Sequence, residues 1–455
     1  MDYILHGYHV SEPTWFYLSF LLIVAVFFRF GRLWSLRNLD LILLLSIAPS
    51  LLLVKAQGQS SVGYVWLFVT TGLLLVRTLF DSYFTRRPRL PQNMNAAGLC
   101  FLCVAAFAFL MTKVMTEPPS ESSVAELRRA SQLLKGEEAA PQDRAHAEAG
   151  PGSRVIHTLP LAISQAVVPK GDGSEDADTH SAAVPSQSEI VAARSMAILA
   201  HLAVILGLIA LAHYHLGDVQ LGLAMATLYL LLPCTAYEVG RVNHVLPAAL
   251  IVWAFVAYRR VFISGCLLGL ACGILFFPVF LLPLWIAFYA RRGAMRFTAA
   301  LGGMAVLLVG TFLFTSFDAQ SFLSQTFGEI NWSLLQFHEV EPAGFWHLYP
   351  GAYRIPIFVS FLAMLTALTI WPRHKDLGDL MANSAAVIIG AQFWYPQQGG
   401  MYVLWYLPIL LMIVFRPTLN QAIPPELHPR ERKAEEAQPD RALIGSASST
   451  GPLFR

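Results

Sequence analysis

The sequence predicts an all-α, polytopic integral membrane protein. Three observations support this prediction: the composition, the length of the apolar runs and the placement of the basic residues. Of the 455 residues, 56% are hydrophobic and 13% are charged, whereas a typical soluble domain has about 25% charged residues. A chain with so little polar surface must be covered largely by lipid. The net charge of +2 also argues against nucleic acid as a partner.

Thirteen apolar runs have the composition of membrane-spanning helices, each of which needs about 20 residues. The runs 261–276 and 277–290 are short, and Pro278 and Pro283 leave a single broken helix as an alternative there. The expected spans are 14–30, 39–55, 62–80, 95–114, 196–214, 219–236, 244–258, 261–276, 277–290, 297–315, 355–371, 379–394 and 401–415.

Basic residues fall in alternate connections, which indicates the orientation of the chain. Clusters of Lys and Arg accompany the connections after the first, third, seventh, ninth and eleventh spans, and Arg416 follows the last span. Three of the intervening loops carry a single basic residue each, namely Lys55, Arg241 and Arg354. Because basic residues in short loops mark the cytoplasmic side, the N-terminus is expected outside and the C-terminus in the cytoplasm. The connection after the fifth span is the exception, since it has neither Lys nor Arg.

Composition divides the chain into four parts. The first is an N-terminal unit of four spans, and the second is a polar, largely disordered linker outside the membrane, rich in Ala, Ser, Glu, Asp, Pro and Gly. The third part is a transmembrane core, and the fourth is a charged, disordered cytoplasmic tail. The corresponding residues are 1–114, 115–195, 196–416 and 417–455.

One amphipathic helix is expected inside the polar linker. Ser123 and Glu126 have the spacing of a capping box. Gly136 follows Lys135 and is suited to end the helix in a left-handed conformation. Such a helix could lie on the membrane or on the helical bundle.

The cysteines indicate neither a disulfide framework nor a metal site. All five lie in or beside apolar runs, including the C-x-x-C pair Cys100 and Cys103, which has no neighbouring His or Cys partner. Small buried apolar residues are the expected role for them. No cofactor is expected, and a divalent cation stays open as an alternative.

The loop between the sixth and seventh spans is the sharpest candidate site. Glu238, Arg241, Asn243 and His244 occur within seven residues on the expected outer face. Glu238 could act as a catalytic general base, and Arg241 could bind a phosphate through a bidentate contact. Asn243 and His244 are expected to contact substrate. The alternative is an interfacial ion pair between Glu238 and Arg241, which are three residues apart.

Two further outer segments are expected to converge with that loop. The aromatic loop 316–354 could cap a cavity, although aromatic residues also anchor the boundary of a membrane. The segment 394–402 connects the last two spans and combines aromatic and amide side chains. From these segments the expected substrate contacts are Glu329, Trp332, His338, Tyr395, Gln397, Gln398 and Tyr402.

A resemblance to a known superfamily rests on the core. Its motifs are a proline before an outer Gly-polar step, an Arg-rich inner turn, a helix with spaced glycines and a proline-containing helix. These are Pro233, Gly240-Arg241, Tyr258-Arg259-Arg260, Gly265, Gly269, Gly273, Pro278 and Pro283, with Tyr395–Tyr402, Trp405 and Pro408 near the end. This pattern resembles the GT-C superfamily of integral-membrane glycosyltransferases, in particular its bacterial mannosyl- and arabinosyltransferase-like members.

The resemblance implies transfer of a sugar from a polyprenyl-phosphate donor at the extracytoplasmic face of the bacterial inner, or plasma, membrane. Membrane lipid and the lipid-linked sugar are then the expected partners, and protein partners are not indicated. The superfamily has an acidic catalytic residue in its first outer loop, for which this chain has no clear counterpart. The alternative is therefore a non-catalytic multi-pass protein: a degenerate relative, a lipid-binding partner or a transporter subunit.

Overall fold

The computed structural model describes residues 3–5, 10–56, 60–84, 92–137, 150–167, 185–290, 293–328, 337, 344–396 and 402–417. A short antiparallel pair of strands, β1 (Tyr3–Leu5) and β2 (Val10–Ser11), precedes the helices. The helices are α1 (Glu12–Phe27), α2 (Leu36–Lys55), α3 (Ser60–Leu79), α4 (Ala96–Thr116), α5 (Glu121–Lys135), α6 (Pro151–Val167), α7 (Gln187–Leu211), α8 (Val219–Leu231), α9 (Pro233–Tyr237), α10 (Val242–Val256), α11 (Val261–Ile274), α12 (Leu282–Tyr289), α13 (Ala294–Gly310), α14 (Ala319–Gly328), α15 (Arg354–Ile370), α16 (Leu377–Gln392) and α17 (Val403–Phe415).

Within the described part of the chain, six helical segments are long and apolar enough to cross a membrane. They are Leu36–Lys55, Ser60–Leu79, Ala96–Thr116, Gln187–Leu216, Ala294–Phe314 and Gly351–Ile370, and further apolar helices of 10–17 residues pack among them. The expected all-α multi-pass membrane protein is thereby confirmed. Thirteen passes and the orientation of the termini stay predictions.

Polar side chains set the start of several helices. Ser35, Asn95 and Asp218 each accept a hydrogen bond from a backbone N–H in the first turn of α2, α4 and α8, which satisfies a donor that lacks a partner within the helix. Ser186 and Asp376 form complete capping boxes at α7 and α16. These caps fix where the apolar runs enter the bundle.

The segment 115–195 contains more folded structure than its composition predicted. The expected amphipathic helix is present as α5, and Gly136 ends it with φ 72°. Its cap is Ser120, which accepts from the backbone N–H of Ser123 at 3.3 Å, so the predicted capping box at Ser123 is wrong by one turn. The helix α6 was not expected at all.

Helices α5 and α6 pack on each other and on the start of α7. Leu127, Ala130, Leu161 and Ala192 form a small buried cluster between them. Gly152 lies so close to the end of α11 that a Cβ there would stand 2.8 Å from the carbonyl carbon of Gly273. A polar average over the segment concealed these apolar faces, and the described part of the segment contains two helices that pack on the bundle.

The chain reverses between α11 and α12. The hydroxyl of Tyr289, at the end of α12, donates to the carbonyl oxygen of Tyr258 at 2.6 Å. Because Tyr258 lies just before α11 begins, α12 returns to the end of the bundle where α11 started. A 3-10 segment, Phe277–Leu281, makes the turn. Residues 261–290 therefore form two helices of opposite direction, and the alternative of a single broken helix is wrong.

Charged side chains tie the N-terminal unit to the last helix. Arg77 contacts both carboxylate oxygens of Asp40, at 2.6 and 3.0 Å, and Asp81 at 2.8 Å. Arg416 bonds the other oxygen of Asp81. These buried ion pairs lie among α2, α3 and α17 and give Asp40 and Arg77 a structural role.

Candidate functional site

The loop between α9 and α10 presents the candidate acid and base groups. Pro233 starts the five-residue helix α9, because its fixed φ favours the first helical position. A turn closed by the backbone N–H of Arg241 and the carbonyl of Glu238, 3.0 Å apart, then leads into α10. The side chains of these two residues meet, with Arg241 Nε 3.1 Å from Glu238 Oε2. They are 35% and 16% exposed, respectively.

The ion pair that the sequence allowed as an alternative is therefore present. An ion pair this close to solvent contributes little to stability, typically under about 1 kcal/mol. It also holds a carboxylate beside a guanidinium that can contact an anion. The geometry accordingly fits both the structural and the catalytic interpretation.

Asn243 and His244 lie in the first turn of α10 and are buried, with 3% and 5% exposure. His244 Nδ1 accepts a hydrogen bond of 2.8 Å from the indole N–H of Trp405. In a neutral imidazole this places the ring proton on Nε2. The side-chain amide of Asn243 has no hydrogen-bond partner on either its nitrogen or its oxygen within the described part of the chain.

An aromatic cluster, defined by His244, Tyr395, Tyr402 and Trp405, joins α10 to the connection between α16 and α17. The rings of His244 and Tyr402 stack with centroids 5.2 Å apart, and those of Tyr402 and Trp405 stack at 4.1 Å. Tyr395 meets Tyr402 edge-on at 5.4 Å. All four side chains are buried, so they form a wall of the site and not an open stacking platform.

The aromatic loop 316–354 also contacts the connection between α16 and α17. The indole N–H of Trp346 donates to the carbonyl of Phe393 at 3.0 Å. The buried guanidinium of Arg354 donates to the carbonyl of Trp394 at 2.9 Å. The amide of Gln392 donates to the carbonyl of Tyr402 at 2.9 Å. The expected convergence of the three outer segments is therefore confirmed for the residues that the structure describes.

Not every candidate residue can be placed. Glu238 and Arg241 meet each other, whereas His244, Tyr395 and Tyr402 meet in the aromatic cluster one turn away. The substrate-contact roles of all of them stay predictions. The remaining candidates, Glu329, Trp332, His338, Gln397 and Gln398, lie outside the described residues.

One ion pair and one cation–π contact next to the loop were missed by sequence reasoning. Lys55 lies 2.6 Å from Glu12 and stands over the ring of Tyr237 at 4.7 Å from its centroid. Burial raises the pKa of the Tyr237 hydroxyl, and the negative charge of Glu12 raises it further. Tyr237 is therefore a neutral hydrogen-bond donor at physiological pH. Ionisable residues at the ends of apolar runs were the available signal.

Comparison with known proteins gives a match that covers most of the transmembrane core. The model of glycosyltransferase family 87 matches residues 182–395, a stretch that contains the α9–α10 loop, the aromatic loop and Tyr395. No curated protein and no solved structure matches the chain significantly. Residues 182–395 therefore match glycosyltransferase family 87, and the resemblance of this chain to GT-C-like membrane glycosyltransferases is confirmed.

Proposed function

We propose that this protein transfers a sugar from a polyprenyl-phosphate donor to an acceptor at the extracytoplasmic face of the plasma membrane. The family match supports a membrane glycosyltransferase. The lipid-linked donor follows from the resemblance to GT-C enzymes, and the outer face follows from the alternation of basic loops.

One structural observation carries the proposal. Four buried polar groups on the converging segments have no hydrogen-bond partner within the described residues: the amide of Asn243, the hydroxyl of Tyr237, Oε1 of Gln392 and the indole nitrogen of Trp394. Leaving such a group unsatisfied costs on the order of 1–3 kcal/mol. A sugar offers hydroxyls that both donate and accept, so a bound sugar would satisfy groups of both kinds.

The proposed reaction is a displacement at the anomeric carbon of the donor sugar. The acceptor oxygen forms the new glycosidic bond while the bond from that carbon to the phosphate oxygen breaks. The polyprenyl phosphate leaves with the electron pair, and Arg241 stabilises its charge. Glu238 takes the proton of the acceptor hydroxyl as general base. Asn243, His244, Tyr395 and Tyr402 are proposed to shape the sugar pocket.

A non-catalytic lipid-binding protein is the second candidate. The ion pair between Arg241 and Glu238 favours it, because a carboxylate neutralised by a guanidinium can be purely structural. On this reading Arg241 still contacts a lipid phosphate, but Glu238 only orients Arg241.

A transfer assay distinguishes the two candidates. The purified protein in lipid nanodiscs is incubated with a panel of radiolabelled polyprenyl-phosphate sugars and a lipid acceptor extract, with Glu238→Gln as the inactive control. Transfer that depends on Glu238 supports the enzyme. Donor binding with no transfer across the panel supports the lipid-binding protein.

A further inference from the structure

Lys113 is a buried cation in an otherwise apolar helix. It lies near the end of α4 and is 3% exposed. Its ammonium group donates to the carbonyl of Ala236 at 2.7 Å, and it stands 3.6 Å from the carboxylate of Glu117. A cation among apolar residues is costly unless it has partners. Lys113 therefore directs a strong donor at the backbone of the candidate site, two residues before Glu238.

His201 makes the matching contact on the other side of Glu238. It lies in α7 and is fully buried. Its Nε2 donates to the carbonyl of Val239 at 3.0 Å, while Nδ1 accepts from the hydroxyl of Tyr229 at 2.9 Å. Because both ring nitrogens are bonded, the imidazole is held in one orientation and one neutral tautomer.

These two donors bracket a segment that has little stability of its own. Helix α9 has five residues, and isolated helices shorter than about 12 residues are marginal. The hydroxyl of Thr235 donates to the carbonyl of Tyr229 at 2.6 Å, which links the same segment to α8. The conformation of the backbone around Glu238 thus depends on side chains from α4 and α7.

We propose that Lys113 and His201 are positioning residues that hold the backbone on either side of Glu238, so that its carboxylate faces the proposed reaction. This inference rests on the proposed function for its catalytic consequence only. Lys113 lies outside the family-matched residues 182–395. The N-terminal unit therefore completes the site in place of serving only as an anchor.

The test measures the geometry of the loop and the reaction separately. Glu238→Cys is introduced into a chain whose five cysteines are changed to alanine, and its alkylation by a hydrophilic maleimide is timed. Lys113→Met or His201→Leu should change that rate about tenfold, since one hydrogen bond contributes on the order of that factor to a local equilibrium. In the chain with Glu238 intact, each change should lower kcat about a hundredfold with donor KM nearly constant, as expected for a misplaced group.

The matched control is His215→Leu. His215 lies in the π-helical turn Ala212–Leu216 that follows α7, and its Nε2 bonds the carbonyl of Val256 at 2.8 Å. His215→Leu therefore removes the same kind of bond far from the loop. It should leave the alkylation rate and kcat unchanged. His201→Gln keeps a hydrogen-bond donor where Nε2 stood, so its alkylation rate and its kcat should be close to those of the protein with His201.

The outcomes separate the two claims. Unchanged alkylation in both Lys113→Met and His201→Leu overturns the positioning role, whatever happens to kcat. Altered alkylation in a protein that never shows transfer supports positioning and rejects the proposed function. If Lys113→Met does not fold, Tyr229→Phe tests the same arrangement, because it frees the His201 ring while keeping the imidazole.

Discussion

At the scale of single residues, Glu238 is proposed to act as the general base of the reaction. Replacing its carboxylate with an amide, Glu238→Gln, removes the proton acceptor and keeps the shape. Turnover should fall about a hundredfold or more, the usual contribution of a general base, with donor binding largely intact. Single-turnover transfer kinetics measure this. Glu189→Gln, which alters a carboxylate in the capping box of α7, is the control, and wild-type rates in Glu238→Gln would remove the residue from the mechanism.

Arg241 is expected to affect binding of the donor and not turnover. Arg241→Lys keeps the positive charge but loses the planar fork that contacts two phosphate oxygens. The KM for the donor should rise by about tenfold, equivalent to one charge-assisted hydrogen bond, while kcat changes little. An unchanged KM with altered stability alone would favour the purely structural ion pair.

Asn243 is expected to reduce the stability of the empty protein. Asn243→Leu replaces a buried amide without a partner by an apolar group of similar size. The free energy of unfolding should rise by about 1–3 kcal/mol, seen as a higher Tm without substrate, whereas donor binding should weaken. A lower Tm in Asn243→Leu would show that the amide is satisfied in the empty protein.

Sequence reasoning found the residues that stand out locally and missed those defined by their neighbours. Glu238, Arg241 and His244 were identifiable because polar groups are rare beside apolar runs. Lys113 and His201 are equally polar, but their role depends on the carbonyls of Ala236 and Val239, which are distant in the chain. The unsatisfied state of Asn243 is likewise a property of packing, which no local pattern encodes.

At the scale of elements, the apolar helices were predictable and the α5–α6 pair was not. An apolar run of sufficient length has one stable outcome in a membrane, a helix. Helices α5 and α6 are amphipathic, and their apolar faces are diluted by charged residues in any average over the segment. Their partner surface, formed by α7 and the end of α11, exists only in the folded chain.

The α5–α6 pair should loosen in mild acid. His157 in α6 is buried, and its Nδ1 donates to the carbonyl of Ser153 at 2.7 Å. Burial lowers the pKa of His157 below its usual 6.5, the charge of Arg129 lowers it further, and the bond to Ser153 opposes this shift. The folded pair therefore holds neutral His157 and is most stable above about pH 6.5. That stability is lost as the pH falls from there through the lower pKa of the folded state.

Hydrogen exchange measures this loss. Amides of α6, corrected for intrinsic rates, should exchange faster at pH 5.5 than at pH 7.5, and His157→Phe should remove most of the difference. Exchange that is equally pH-dependent in His157→Phe would assign the effect to another group.

At the scale of the whole molecule, loops that were predicted to share a side of the membrane meet at one end of the bundle, while the end that faces outward stays a prediction. Contacts at the predicted outer end join Lys55 to Glu12 and Trp346 to Phe393, while those at the predicted inner end join Arg77 to Asp81 and Arg416 to Asp81. Alternating charge thus predicted which loops share an end. It could not predict the packing order of the helices, since lipid-facing and buried faces are similarly apolar.

Opposite labelling should verify the orientation. Cysteines at Glu137 and His374, both exposed in the structure, should react with a membrane-impermeant maleimide from the outside and the inside, respectively. Intact and inverted vesicles of the cysteine-free chain provide the measurement, and labelling of both positions from one side would refute the topology.

The ion pairs among Asp40, Arg77, Asp81 and Arg416 have a consequence for synthesis. Asp81 is inserted with α3, early in translation, but Arg416 leaves the ribosome only after α17 has been made. Until then Asp81 is paired with Arg77 alone, and its other carboxylate oxygen lacks the contact with Arg416. The ionic link between the N-terminal unit and the last helix can therefore form only after the core has been inserted. Arg416 completes this network last, and a chain that ends before α17 lacks the link.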